Sequence, residues 1–336
     1  MTKKLRVGVV GVGYLGQFHT EKYAVTPGVE LVGVVDSDPA RAALVAQKQN
    51  TRAFSEPAHL LGLVDAVSVV VPTAFHHRVA KQFLEQGIHV LLEKPITVTL
   101  AQADELIDLA NGKGLILQIG HIERFNPAVT AIKGLLKSPR YITAERAAPF
   151  TVRCTDVNVV LDLMIHDIDI VLSFVKSPLK EIRAVGLPVV TEKVDIANVR
   201  MEFESGCVAN LTASRISTER VRKLRFFQPK EYVSIDYGRQ DVFQIRVTQE
   251  EKFSLHNLMA FAETPSTLPI PGVTLNKPKV EAEEPLRAEL KSFLHAVRHR
   301  SEPVVSLSDG RRALAAALSI LAAIEEHTRR AQLHSL

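Results

Sequence analysis

The residues best suited to chemistry in this chain are a lysine, an aspartate and a histidine set among apolar neighbours. Lys94 stands in Glu93-Lys94-Pro95, directly after the run Val90-Leu91-Leu92. It therefore closes a buried strand, and Pro95 fixes the backbone that follows. An ammonium there is either solvated, the common fate of lysine, or aimed at a ligand bound on that sheet edge. Asp162 and His166 are four residues apart, a spacing that puts both on one face of a helix. Leu161, Leu163, Met164, Ile165 and Ile168 surround them, so the two are a capping or surface pair, a buried structural pair, or members of a cleft. Lysine and histidine in one cleft can hold and move a proton at a hydroxyl. His166-Asp167 also raises a metal reading. Partner histidines at suitable spacing are lacking upstream, and no metal site is expected.

A second group of residues says what such a site would work on. Gly11-Val12-Gly13-Tyr14-Leu15-Gly16 fits G-x-G-x-x-G, follows an apolar run beginning at Leu5 and opens a helical pattern. Only in that context does the motif indicate a dinucleotide. Gly11 makes the tight turn, Gly13 admits the pyrophosphate to the backbone, and Gly16 permits close helix packing. Asp36 ends the second apolar run, 20 residues past Gly16, where a carboxylate holds ribose hydroxyls. It also fits a turn aspartate before Pro39. No arginine is adjacent to Asp36, which favours NAD over NADP, although Arg41 is within reach. Val71-Pro72-Thr73 closes the apolar run Ala66–Val71, on the edge where open α/β sheets bind ligands, and is expected on the nicotinamide side. His76 and His77 follow, and packing or solvation explains either as readily as catalysis.

These positions need a framework. Leu5–Val10, Glu30–Val35, Ala66–Val71, Ile88–Leu92 and Leu115–Ile119 are unbroken apolar runs, as in a parallel sheet covered on both faces. Amphipathic segments alternate with them, which predicts an α/β, doubly wound parallel sheet over residues 1–122. From 123 to 336 the pattern changes. A strong helix over Val159–Phe174 precedes alternating runs at 182–187, 197–203, 208–214, 223–227, 232–237 and 243–247. Strands without intervening helices predict an α+β domain with an open antiparallel sheet. Thr264–Lys279 reads as a loop, 285–298 and 309–326 as helices, and Arg329–Leu336 as a frayed tail.

Bulk properties narrow the class. Among 336 residues, 41 basic against 37 acidic side chains are too balanced to suggest nucleic acid. Cys154 and Cys207 are far apart, which fits a reduced compartment. The N-terminus runs straight into a strand, and no apolar stretch approaches the ~20 residues of a membrane span. A soluble, cytoplasmic protein is expected.

With these residues in hand, the chain resembles the glucose-fructose oxidoreductase, inositol dehydrogenase and rhizopine-catabolism (Gfo/Idh/MocA) family. The resemblance rests on Gly11–Gly16 with His19, Pro72 with His76, Glu93-Lys94-Pro95, Arg124-Phe125 with Pro127, and Asp162 with His166. Ser205-Gly206, Glu289-Leu290 with Phe293, and Ser308-Asp309-Gly310 extend it towards the C-terminus. It implies an NAD-binding Rossmann domain, a substrate-binding domain whose open sheet forms dimers or tetramers, and hydride transfer from a sugar-like carbinol. It also implies Lys94 and His166 as catalytic residues assisted by Asp162. The implied cofactor contacts are Gly11, Gly13, Tyr14, Leu15, Gly16, Asp36, Pro72, Thr73, His76, Glu93 and Lys94. Gly120–Pro127 and Leu161–Asp169 are similar, more narrowly, to members that oxidise UDP-N-acetylglucosamine at C3. Arg215, Arg220, Arg222, Lys223 and Arg225 fall on both faces of the expected strands, as a solvated set does. Alternatives are a free-sugar, cyclitol or trans-dihydrodiol dehydrogenase, or an NAD-binding regulator that has lost the chemistry. Joint presence of Lys94, Asp162 and His166 argues against the last.

Overall fold

The computed structural model describes residues 4–151, 157–247 and 273–331. Cys154 and part of the Thr264–Lys279 segment lie outside them. Two compact units emerge. The first comprises Met1–Asn126, Val160–Ser173 and Glu283–Ala322; the second comprises Pro127–Val159, Phe174–Ala282 and Ala323–Leu336.

In the first unit, β1 (Leu5–Val10), α1 (Tyr14–Ala24), β2 (Val29–Val35), α2 (Pro39–Lys48), β3 (Arg52–Phe54), β4 (Ala66–Val69), α3 (Thr73–Glu85), β5 (His89–Glu93), α4 (Leu100–Gly112) and β6 (Leu117–Gly120) alternate. The six strands pair in parallel in the order β3-β2-β1-β4-β5-β6, the doubly wound sheet expected. Both faces are covered, which explains why Val67, Val69, Val90, Leu91 and Leu92 are all buried. Helix starts follow local chemistry. Asp38 accepts the Ala40 and Arg41 amides ahead of Pro39, and Thr99 accepts the Gln102 amide. The edge strand β3 is three residues long and too short to register as an apolar run.

In the second unit, α5 (Pro127–Ile132) and β7 (Tyr141–Ala147) precede β8 (Leu179–Leu187), β9 (Ile196–Phe203), β10 (Val208–Ser214), β11 (Val221–Gln228), β12 (Glu231–Asp236), β13 (Asp241–Val247) and β14 (Val273–Asn276). Their sheet runs β14-β13-β12-β11-β7-β10-β9-β8. It is antiparallel except for β7 beside β10, which are parallel. Hence the sheet is mixed rather than wholly antiparallel. Part of the expected 264–279 loop is strand β14, whose Leu275 pairs with Ile245. Ile142, Leu224, Phe226, Val233 and Ile235 face a core that also holds Phe174, while Tyr141, Phe227 and Tyr232 line the other face. That is the period-two alternation of a sheet with one buried side.

The expected helix over 159–174 is not uniform. Val160–Met164 forms a π-helical turn and α6 (Ile165–Phe174) follows. Two further helices complete the framework, α7 (Pro285–His299) and α8 (Leu307–Arg330), the latter running into the segment expected to fray.

Asp195 fastens the β8–β9 connection. Its Oδ2 accepts the amides of Val189, Val190 and Thr191, and its Oδ1 accepts the Thr191 hydroxyl. Arg215 is buried beside it at 3.8 Å and donates to the Val157 carbonyl, so this arginine does not belong to a solvated set. Burial alone would raise the Asp195 carboxyl; the hydrogen bonds outweigh it and hold the group at about 2. Stability from this group is present above the ordinary 3.8 and is lost as pH falls through about 2. Denaturant unfolding between pH 5 and pH 2 is expected to lose about 2 kcal/mol through Asp195. In Asp195→Asn that portion of the pH dependence should vanish; an unaltered slope assigns it elsewhere.

Candidate active site

The C-terminal ends of β1, β2, β4 and β5 open on a cavity of about 920 Å³. Gly11, Gly13 and Leu15 line it from the first turn, Asp36, Ser37 and Arg41 from the second, and Pro72, Glu93 and Lys94 from the far end. Gly11 has φ +86°, and a Cβ there would approach the Val70 carbonyl oxygen to 2.5 Å. A Cβ at Gly16 would collide with the Gly11 carbonyl. At Gly13 the nearest atom is Arg41 Nη1, 3.9 Å away, which leaves the backbone open to the cavity. These are the spaces that a dinucleotide phosphate pair requires beside a helix N-terminus. The residues present fit the group.

Asp36 is buried and already organised. Its Oδ2 accepts the Val12 amide at 2.9 Å, its Oδ1 accepts the Asp38 amide at 2.9 Å, and Arg41 Nε lies 3.6 Å from Oδ1. Arg41, within reach by its spacing, sits at the carboxylate. Phe75, Arg78, Val79 and Gln82 also line the cavity. Their i, i+3, i+4, i+7 spacing is one stripe of α3, a signal that the sequence carries.

His76 is off that stripe. Its ring is buried and does not line the cavity, with Nδ1 2.8 Å from the Pro95 carbonyl and Nε2 2.8 Å from the Val71 carbonyl. Burial lowers its pKa and the two carbonyls oppose that shift. A neutral ring donates to one of them, the imidazolium to both. His76 thus braces the ends of β4 and β5. Thr73 begins α3, and Tyr14 is exposed, edge-on to Phe18; neither lines the cavity. His77 pairs with Glu105 at the surface.

Lys94 is largely buried rather than solvated. Its Nζ donates to the Asp162 carbonyl oxygen at 2.7 Å and lies 3.7 Å from Asp162 Oδ1. An ammonium that takes a carbonyl from the helical ladder is a local reason for the π turn at 160–164. His166 follows in the first turn of α6, half-buried. Four residues are close to one full turn in either helix type, so Asp162 and His166 project to the same side. Lys94 and Asp162 are in direct contact, and His166 lies in the same compact unit.

Helix α6 is itself locked. Arg124, on a short turn after β6, donates from Nε and Nη2 to Asp169 at 2.6 and 2.8 Å, and lies 3.5 Å from Asp309. Asp309 in turn accepts the Ser306 amide and hydroxyl at the start of α8. The arginine was visible in the sequence, but its two acidic partners, 45 and 185 residues away, were not.

Comparison with known proteins agrees with this geometry. Residues 5–121 match the oxidoreductase family with an NAD-binding Rossmann fold, and residues 136–230 match the Gfo/Idh/MocA C-terminal domain. UDP-N-acetylglucosamine 3-dehydrogenase of Acidithiobacillus ferrooxidans is 39% identical over 97% of this chain and 99% of its own length. The chain belongs to the Gfo/Idh/MocA family. It is an NAD-dependent oxidoreductase acting on CH–OH groups. A solved structure of that A. ferrooxidans enzyme, GnnA, superposes with a TM-score of 0.86 at 37% identity, covering 96% of this chain and 98% of that one. The scyllo-inositol 2-dehydrogenase of Bacillus subtilis is 30% identical over 65% of this chain and 69% of that protein. No helix among the described residues is long and apolar enough to cross a membrane.

Replacing Arg124 by methionine strands the buried Asp169 carboxylate without its bidentate partner. The expected loss is about 3–5 kcal/mol of stability in denaturant unfolding. A loss below 1 kcal/mol would show that the ion pair is not what holds α6.

Proposed function

We propose that the chain oxidises the C3 hydroxyl of UDP-N-acetylglucosamine to the 3-keto sugar, with NAD as hydride acceptor. The observation that carries the reading is the Lys94–Asp162 contact at the end of the dinucleotide cavity. Full-length similarity to an enzyme of that activity supports the substrate. Gly11, Gly13, Leu15 and Gly16 accommodate the pyrophosphate, Asp36 accepts from the ribose hydroxyls, and Pro72, Glu93 and Lys94 flank the nicotinamide end. Tyr14, Thr73 and His76 act at one remove, by shaping the first turn and the ends of β4 and β5. When bound, the nicotinamide supplies the acceptor for the hydride of the carbinol carbon.

The chain's own residues manage the proton. Lys94, held by the Asp162 carbonyl and carboxylate, donates to the substrate oxygen and stabilises negative charge as it develops. His166 accepts the hydroxyl proton, so the carbon–oxygen double bond forms as hydride and proton leave separately. We take residues 1–122 as the NAD-binding part and 123–336 as the substrate-binding and oligomerisation part, which lends Val160–Ser173 to the site. A cytoplasmic location accords with Cys207 being a free, buried thiol.

Incubation with NAD and UDP-N-acetylglucosamine, with a carbonyl trap to draw an unfavourable oxidation forward, should yield NADH and a trapped 3-keto sugar. Lys94→Met should lower turnover by at least ~10³-fold while NAD binding stays within a few-fold. Normal turnover in that variant removes Lys94 from the mechanism. Silence of the wild type towards this sugar but activity on scyllo-inositol would move the substrate to the cyclitols.

The open face of the second sheet carries Tyr141, Phe227 and Tyr232 in a lateral row, with ring centroids 5.4 and 5.0 Å apart. Leu275 and Phe243 are also exposed on it. Such a row supports a homodimer or homotetramer formed through this sheet. Light scattering should report an oligomer that Phe227→Glu dissociates; a monomeric wild type would refute it.

A further inference from the structure

Beneath the Lys94 end of the cavity, polar side chains interrupt the apolar layer between the parallel sheet and helices α1 and α7. Ser68, Leu91 and Gln118 are neighbours across β4, β5 and β6, and Glu93 stands opposite Gly120. Gly120 makes room for it, since a Cβ there would lie 2.9 Å from the Glu93 carboxyl. From α1, Tyr23 bonds the Ser68 hydroxyl at 2.8 Å, and His19 Nε2 lies 3.3 Å from Glu93 Oε1. From α7, Glu289 enters the same layer, and its backbone carbonyl accepts from Gln118 Nε2.

The two carboxyl groups differ. Glu93 borders the cavity, accepts the Lys94 amide at 3.3 Å, and is faced by His19, Lys94 and His76. Burial pushes its carboxyl up, and those groups outweigh burial and hold it below its ordinary value. Glu289 is wholly buried, and neither oxygen has a hydrogen-bond partner among the described residues. The groups it faces are Glu93 and the neutral Tyr23; His121, also buried, is faced by Asp169, Arg124, Lys94 and Glu93. Among the described residues a carboxylate there would have no compensating cation and an anion for a neighbour, so the neutral acid is the stable form. Desolvation and Glu93 both raise its pKa well above 4.5.

Keeping a glutamate neutral in a core costs stability that glutamine would not, which points to a task other than packing. We propose that Glu289 is a positioning residue for the cofactor end of the site, a buried acid paired with the Glu93 carboxylate, whose proton is linked to the charge of the ring bound beside Lys94. The inference rests on the NAD-binding reading above. A cationic ring favours a second negative charge below Glu93, so its binding draws the proton from Glu289 into solvent. A neutral, reduced ring leaves the proton in place. By reciprocity, affinity for NAD relative to NADH rises as pH rises through the titration of Glu289.

Calorimetric titration of NAD and of NADH between pH 7 and 9.5, in buffers of different ionisation heat, reads the protons exchanged. The wild type should release more on binding NAD than on binding NADH, and Glu289→Gln should abolish the difference. Equal proton counts for the two dinucleotides, or a difference that survives in Glu289→Gln, overturns the proposal. Failure of both dinucleotides to bind the wild type would instead overturn the cofactor reading, and this inference with it. A second measurement needs no cofactor. Because a raised folded pKa makes the wild type lose stability above the ordinary carboxyl range, the Tm of Glu289→Gln minus that of the wild type should grow from pH 4.5 to 7.5. Whatever fixed offset the substitution brings, a pH-independent difference means that Glu289 is not held neutral.

Discussion

The hydrogen bond from Lys94 to the Asp162 carbonyl is the constraint to which the rest of the site conforms. A lysine at the end of a buried strand must find acceptors, because an ammonium withdrawn from water without them is costly. Here it finds a backbone carbonyl 68 residues away, with the carboxylate of the same residue behind it. Taking that carbonyl coincides with a widened turn at 160–164, from which α6 and His166 proceed. Strand, turn and helix are therefore fixed together. Arg124 supplies the second fastening, gripping Asp169 three residues past His166 and reaching Asp309 at the start of α8. One fastening sets where the lysine points; the other keeps the histidine's helix from rotating away.

Charge changes with depth in this region. Lys94 is cationic at the cavity, Glu93 is anionic just below it, and Glu289 is neutral deeper still. The order follows from solvation. The groups nearest the cavity have counter-charges within reach, whereas the innermost faces, among the described residues, another carboxyl and a neutral phenol, and so keeps its proton. His76 contributes from the side by bridging the Val71 and Pro95 carbonyls, and so ties the strand ends without entering the cavity.

Much of this could be read from the sequence because the first unit obeys strong local rules. Parallel strands buried on both faces spell continuous Val, Ile and Leu, and a phosphate-binding turn leaves glycines where side chains cannot fit. The second unit was less legible for physical reasons. In β7, Tyr-Ile-Thr-Ala-Glu-Arg-Ala places charges and alanines where β-branched residues would have declared a strand. Its parallel pairing with β10 depends on contacts between distant segments, which no local pattern encodes. Strand β14 is four residues long and follows a Pro-rich stretch. The π turn was invisible because the donor that competes for the Asp162 carbonyl is a lysine from another element.

The polar partners of the site were hidden for the same reason. Glu93 belongs to the Glu93-Lys94-Pro95 motif and Glu289 to the Glu289-Leu290 pattern with Phe293, but nothing within a few residues of either reveals the other. The register of β5 against β6 brings Glu93 to Gly120, and the packing of α7 on that face brings Glu289 beside it. Lys94, Asp162 and His166 belong to one compact unit although 72 residues separate the first from the last. Their mutual placement is therefore governed by that unit's own core. A site assembled in this way can have its chemistry written in short motifs, while its electrostatics depend on which of those motifs the fold packs side by side.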